Sequence, residues 1–266
     1  MSIRKSVKTS IALLFAGGLA SLFPALVPPA EAQSAQQPAI SEDASAALAR
    51  MGKTLLAKQF SFHSLLFRVY AGPNGELLHV AHSTKTVVRR PDRLFADITG
   101  DDGSIKMIYD GKTLVVFNPE LKQYASVPIT GTVQEMLDAA ESRMGVDFPL
   151  SDLLADNPEK SALTGITFGG QVGTATIGGV RCRHFFFEQA PDIDVELWLE
   201  DNDRSLPRRV VMTYRSLPGR PNFIAELSDW DFSTQFPDSD FVFQPPAGVV
   251  KVELTPGLHA APEPAK

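Results

Sequence analysis

From Phe60 onward, apolar residues recur at every second position in short bursts, and turn-forming residues close each burst. That rhythm dictates antiparallel sheet, because successive side chains of a strand point to opposite faces. The first run, Phe60 to Tyr70, ends at Gly72-Pro73-Asn74-Gly75, a hairpin signal. Strands are predicted over about 76–90, 93–99, 104–109, 113–118 and 122–127, with breaks at Gly100-Asp101-Asp102-Gly103, Asp110-Gly111 and Asn118-Pro119. A second set covers about 166–177, 181–189, 193–199, 207–215, 222–229 and 241–243. So many short sequential strands curl or close rather than lie flat.

Helical spacing precedes this rhythm and then breaks it in the middle. Ser41 to about Lys58 places Ala44, Ala47, Leu48, Met51 and Leu55 on one stripe, with Ser41 as cap and Glu42 and Asp43 at the positive end. Between the two strand sets, Thr132 and Glu135 form a capping box, and Val133, Met136, Leu137, Ala140 and Met144 make a second stripe. Pro149 to Leu154 starts a short helix, and Pro158 to Leu163 another. The strands carry one apolar face each: Ile193, Val195, Leu197 and Leu199; Arg181, Arg183, Phe185 and Phe187; Val210, Met212 and Tyr214; Phe223, Ala225 and Leu227. One side of the sheet therefore needs a cover. The expected fold is mainly β with short helices: an incomplete antiparallel β-barrel of about 11–12 strands under a helical lid, with an apolar hollow where the lid does not fill it.

The N-terminus reads as an address. Arg4, Lys5 and Lys8 precede an uncharged apolar run from Ile11 to Phe23, and Ala30-Glu31-Ala32 supplies the small residues of a cleavage site. The apolar stretch ends at Val27, before Pro28-Pro29, holds Gly17, Gly18 and Pro24, and falls short of the ~20 clean residues a spanning helix needs. There is no twin-arginine pair and no cysteine beside the cleavage site. The expectation is a signal peptide over 1–32, export by the general secretory route, a linker over 33–40, one lidded domain over 41–254 and a disordered tail over 255–266. The mature protein is then periplasmic and does not span the membrane.

Composition narrows the function. Removing Arg4, Lys5, Lys8 and Glu31 with the leader takes the net charge from −6 to about −8, so nucleic acid is an unsuitable partner. The single cysteine, Cys182, can make no internal disulfide. It reads as a free sheet cysteine, although Arg181 and Arg183 beside it would lower the pKa of a reactive thiol. His79 and His82 fall on opposite faces of a strand, which is poor metal geometry. Gly169-Gly170-Gln171-Val172-Gly173 and Gly178-Gly179 flank strands rather than a helix, and read as a bulge and turns. Glu200-Asp201-Asn202-Asp203 reads as a solvated hairpin tip, and Asp192 with Asp194 is the one carboxylate pair suited to acid–base work. No nucleophile elbow, zinc-protease motif or phosphate loop occurs. The chain reads as a non-enzyme that needs no cofactor and no metal. What stands out is phenylalanine, 17 residues, placed largely on strands.

Residues 87–127 carry a family pattern. Val87-Val88-Arg89-Arg90-Pro91-Asp92-Arg93-Leu94 is followed by Ile108-Tyr109-Asp110-Gly111-Lys112-Thr113-Leu114 and by Phe117-Asn118-Pro119-Glu120-Leu121-Lys122-Gln123-Tyr124. Leu206-Pro207-Arg208 and Phe241-Val242-Phe243-Gln244-Pro245-Pro246-Ala247-Gly248-Val249 close the chain in the same style. This order resembles the LolA-like periplasmic lipoprotein carriers, and most closely that superfamily's predicted periplasmic members of undefined function. The resemblance implies an apolar cavity for acyl chains and a tie between sheet and lid through Arg90. Phe95-Ala96 and Val115-Val116 stand where the carriers have tryptophan, so the cavity wall differs.

The functional expectation is non-covalent binding of a lipid, an acylated protein or another hydrophobic ligand, which requires no catalytic group. A 16-carbon chain gains on the order of 10 kcal/mol gross at ~0.8 kcal/mol per methylene. The expected wall and lid residues are Phe60, Phe62, Leu66, Met136, Leu137, Met144, Leu153, Phe185, Phe187, Val195, Leu197, Met212 and Phe223. The alternatives are an interaction or sensor module on the same fold, binding a peptide or membrane-anchored protein partner, and, more weakly, an envelope hydrolase.

Overall fold

A computed structural model describes residues 39–253 apart from 73, 146 and 147. The expected signal peptide, nearly all of the linker and the C-terminal tail lie outside the described residues.

The chain opens with α1 (Glu42–Leu55), whose first turn is capped by Ser41 Oγ accepting from Ala44 N at 3.3 Å. The helix ends at Leu55, short of Lys58: Leu56 N still donates to Gly52 O at 3.0 Å, Ala57 N tightens to Thr54 O at 3.2 Å, and the Lys58 carbonyl accepts from Arg90 N at 2.7 Å where the sheet begins. A six-strand meander follows: β1 (Gln59–Ala71), β2 (Leu77–Arg89), β3 (Arg93–Gly100), β4 (Gly103–Tyr109), β5 (Thr113–Asn118) and β6 (Gln123–Pro128). Then come α2 (Val133–Met144), α3 (Ser151–Leu154) and α4 (Pro158–Leu163). The second meander is β7 (Ile166–Ile177), β8 (Val180–Gln189), β9 (Ile193–Glu200), β10 (Pro207–Tyr214) and β11 (Asn222–Asp231), and β12 (Val250–Lys251) ends the described chain.

All twelve strands form one sheet in the order β12-β6-β5-β4-β3-β2-β1-β11-β10-β9-β8-β7. The two meanders are joined where β1 pairs antiparallel with β11, with Leu66 opposite Ala225 and Arg68 opposite Phe223. The sheet curls without closing, and β7 and β12 are its edges. This is the expected mainly β, unclosed half-barrel with a few short helices. The glycine readings also hold. A register shift between Gln171 and Gly173 makes a bulge, and Gly178 and Gly179 turn the chain with positive φ of 54° and 79°.

The inner face carries the main core. Phe60 and Phe62 of β1, Val88 of β2, Leu94 of β3, Met107 of β4, Phe185 and Phe187 of β8, Leu197 of β9 and Phe223 of β11 pack there with the buried stripes of α1 and α2. The α2 capping box forms, Val133 N donates to Pro91 O at 2.8 Å, and the Tyr109 hydroxyl donates to Gly131 O at 2.7 Å. At the other end of the roof, the Thr54 hydroxyl donates to Arg204 O at 2.8 Å and Arg50 Nε donates to Ser205 Oγ at 3.2 Å, fastening α1 to the β9–β10 connection.

One predicted strand is corrected. Residues 241–243 do not join the sheet; Asp238–Phe241 is a short 3-10 turn. Two prolines, Pro245 and Pro246, follow at once and can donate no ladder hydrogen bond. The segment instead straps the outer face. Phe241 is fully buried, and the Phe243 ring lies 5.3 Å from Phe117 and 5.0 Å from Tyr124. Arg89 donates to Phe236 O at 2.8 Å and pairs with Asp238. Val250 N donates to Lys122 O at 2.9 Å, so β12 runs parallel to β6.

Candidate ligand cavity

Between the roof and the second meander the side chains do not meet completely. Phe187 and Gln189 of β8, Val195 and Leu197 of β9, and Val210 and Met212 of β10 form the floor. The pairing explains why they converge, since Phe187 is opposite Val195, Val195 opposite Met212, and Leu197 opposite Val210. The ceiling is Leu48 and Met51 of α1, Pro149 and Leu150 before α3, Asp152 and Leu153 of α3, and Ala162 of α4, with Ile166 of β7 at the side. The space left between them is about 60 Å³, the share of roughly two liquid waters. A larger depression of about 510 Å³ beside α4, among Asn157, Glu159, Lys160, Leu163 and Thr164, is open to solvent and polar.

The roof over this cavity is held by few groups. Arg90, in the turn after β2, donates from Nε to Leu55 O at 3.2 Å and from Nη1 to Leu154 O at 3.0 Å, so one guanidinium joins the sheet to the ends of α1 and α3. It lies 6.0 Å from the centre of the Phe60 ring. Burial lowers its pKa, the charge of Asp156 opposes that shift, and Nη2 has no hydrogen-bond partner. The Ser161 hydroxyl donates to Asp152, the Thr132 hydroxyl to Asp156 at 2.9 Å, Asp156 N to Gln134 Oε1 at 3.0 Å, and Gln189 Nε2 to Thr164 O at 2.9 Å.

Of the wall and lid residues expected from sequence, Leu153, Phe187, Val195, Leu197 and Met212 line the cavity. Phe60, Phe62, Met136, Leu137, Met144, Phe185 and Phe223 are buried in the core around it, and Leu66 packs half-buried against that core. These side chains fill most of the hollow that the sequence pattern leaves room for. The lining residues not singled out from sequence are Leu48, Met51, Pro149, Leu150, Asp152, Ala162, Ile166, Gln189 and Val210. Leu48, Met51 and Val210 already lay on recognised apolar faces; what was missing was which faces meet.

The polar candidates are accounted for by neighbours. His63 pairs with Asp229 at 3.0 Å, His82 with Asp102 at 2.6 Å, and His184 with Glu196 at 2.9 Å while stacking on Trp198. Asp194 is held by Arg215 at 3.1 Å and Arg220 at 3.5 Å. Arg181 pairs with Asp201, and Arg183 with Asp43 and Gln171. Neither flanking arginine activates Cys182; it is buried, and burial pushes its thiol pKa up against the opposing charge of Arg208. Among the described residues no group of three or more His, Cys, Asp or Glu side chains is placed to hold a metal ion, and no helix is long and apolar enough to cross a membrane.

The described residues thus form an unclosed, curled sheet roofed by short helices. Residues 44–255 match the model of the family described as predicted periplasmic protein (DUF2092), and the chain belongs to that family, a periplasmic one. No curated protein matches the chain. Among solved structures, an uncharacterized conserved protein from Thermus thermophilus is similar at 9% identity and TM-score 0.46, over 80% of this chain and 99% of that one. LprF from Mycobacterium bovis is similar at 12% identity and TM-score 0.45, over 75% and 98%. The Mycobacterium tuberculosis lipoprotein LppX is similar at 16% identity and TM-score 0.43, over 73% and 99%. At these values the likeness does not extend to ligands or partners.

Proposed function

We propose that this periplasmic protein holds the acyl chain of a lipid or acylated protein, or another hydrophobic ligand, between the inner face of β8–β10 and the roof of α1, α3 and α4, and carries it through the periplasm without covalent chemistry. The observation that carries the reading is the cavity itself. It is apolar but for Asp152 and Gln189, and its ceiling includes helices of only four and six residues. At about 60 Å³ it is the closed form, since ligand pockets run to ~300–1,000 Å³. Loading therefore moves α3 and α4 outward. The four side-chain hydrogen bonds that tie α3, α4 and their flanks to other elements, Arg90 to Leu154 O, Thr132 to Asp156, Asp156 N to Gln134 and Gln189 to Thr164 O, oppose that movement by about 4 kcal/mol at ~0.5–1.5 kcal/mol each. Burying a 16-carbon chain returns on the order of 10 kcal/mol gross, so the balance favours loading before entropy losses are charged. Native mass spectrometry of protein purified from periplasm tests this. Co-purified lipid supports it; an empty protein that also refuses a fluorescent acyl chain refutes it.

A second reading has its own observation. The outer edge of β7 already accepts an extended segment, with Gly169 N donating to Ala39 O and Ser41 N donating to Gly169 O, both at 2.9 Å. Phe168 and Val172 on the same strand are 50% and 62% exposed. An extended stretch of a membrane-anchored protein would add there through main-chain bonds. The same mass spectra separate the two, because a specific co-purified protein with an empty cavity favours the interaction module.

A further inference from the structure

Resting on the cavity reading above, we infer that the bound chain ends in a head that donates hydrogen bonds and carries no negative charge, such as a hydroxyl or an ammonium, and that Asp152 selects for it. Of the fourteen residues lining the cavity, only Asp152 and Gln189 have polar side chains, and none is basic. Asp152 Oδ1 accepts from the Ser161 hydroxyl, which leaves the second carboxylate oxygen for a ligand. Gln189 spends one N–H on Thr164 O, which leaves its amide oxygen. Both residues stand at the ends of their elements, Asp152 in the first turn of α3 and Gln189 as the last residue of β8, while the lining deeper along β9 and β10 is aliphatic. A chain lying in the cavity therefore has its apolar part over Leu197 and Val210 and its head beside a carboxylate with no cation in the lining to balance it. Arg68, the basic residue opposite Phe223, lies over that ring rather than in the lining. Two like charges brought within a few ångströms in a partly desolvated site repel strongly, so a fatty-acid carboxylate is the disfavoured head.

The test is displacement of the neutral probe N-phenylnaphthylamine at pH 8 by dodecylamine, dodecanol and dodecanoate, with wild type and Asp152→Asn in parallel. Asparagine keeps an acceptor for Ser161, and a melting curve checks the fold. Dodecanoate is expected to bind at least about tenfold more weakly than the alcohol. In Asp152→Asn the acid gains, the amine loses and the alcohol stays put. An amine advantage over the alcohol assigns a cationic head and parity a neutral one; both support the inference. Dodecanoate binding as tightly as dodecanol in wild type overturns it, whatever the variant does, and so does a gap that survives Asp152→Asn. Failure of the probe and all three chains to bind overturns the cavity reading itself.

Discussion

Replacing Arg90 by methionine removes a side chain that bonds to the ends of both α1 and α3. Two charge-assisted hydrogen bonds are lost, to Leu55 O and Leu154 O, at ~1.5–3 kcal/mol each. Against that, the variant no longer buries a guanidinium whose Nη2 is unpaired and whose charge is disfavoured by burial. The alkyl part of methionine also keeps contact with the Phe60 ring. The net loss is about 2 kcal/mol, and it falls on the roof, because the β1–β11 seam shares no bond with Arg90. Hydrogen exchange read by mass spectrometry resolves this. Amides in 151–163, among them Leu153, Asp156 and Ser161, should exchange about 30-fold faster, while the paired amides of β1 and β11 keep their protection. Arg90→Lys keeps the charge but not the fork, and should fall between. Unchanged protection over 151–163, or a loss spread evenly through the sheet, would show that Arg90 does not hold the roof.

Two further outcomes are expected. Phe187→Ala should destabilise the protein by ~3–5 kcal/mol and enlarge the cavity by on the order of 100 Å³, a size at which apolar cavities stay dry and admit benzene; benzene should raise the melting temperature of the variant and not of wild type, and a stability loss under ~1 kcal/mol would mean the ring is not packed as described. The strap should loosen in acid. Asp231 is held well below the usual carboxylate range by hydrogen bonds from Ser233 and Thr234, and Asp238 is held below it by Arg89. Their folded pKa values lie under the unfolded ones, so their contribution is complete above ~4 and disappears as pH falls through the lower folded values. Proteolysis within 232–251 should therefore accelerate below about pH 4 before the sheet unfolds, and Asp238→Asn should bring cleavage to neutral pH; equal cleavage of variant and wild type at pH 7 would refute the role.

Strands and turns were legible because their causes are local. Period-two alternation, the glycines at 178–179 and the Thr132–Glu135 box each act over a few residues. The strap was misread for the same reason: Phe241 and Phe243 alternate as a strand does, and only the outer face of β2–β6 shows where they go. The β1–β11 pairing leaves no local trace, since nothing in either strand names a partner about 160 residues away. The cavity was half legible. Apolar faces marked Phe187, Val195, Leu197 and Met212, but its volume depends on how seven segments meet, and Asp152 and Gln189 read from sequence like any solvated polar residues.

A sheet sewn together between its first and eleventh strands cannot be completed until nearly all of the polypeptide has been delivered. Synthesis delivers the chain N-terminus first, so β1 arrives early and waits for β11 with one edge unpaired. Such long-range pairing is slow and leaves sticky intermediates. Newly made copies should thus lean on holding chaperones more than a locally wired protein of equal size would, and any truncation before Asn222 would leave that waiting edge permanently bare.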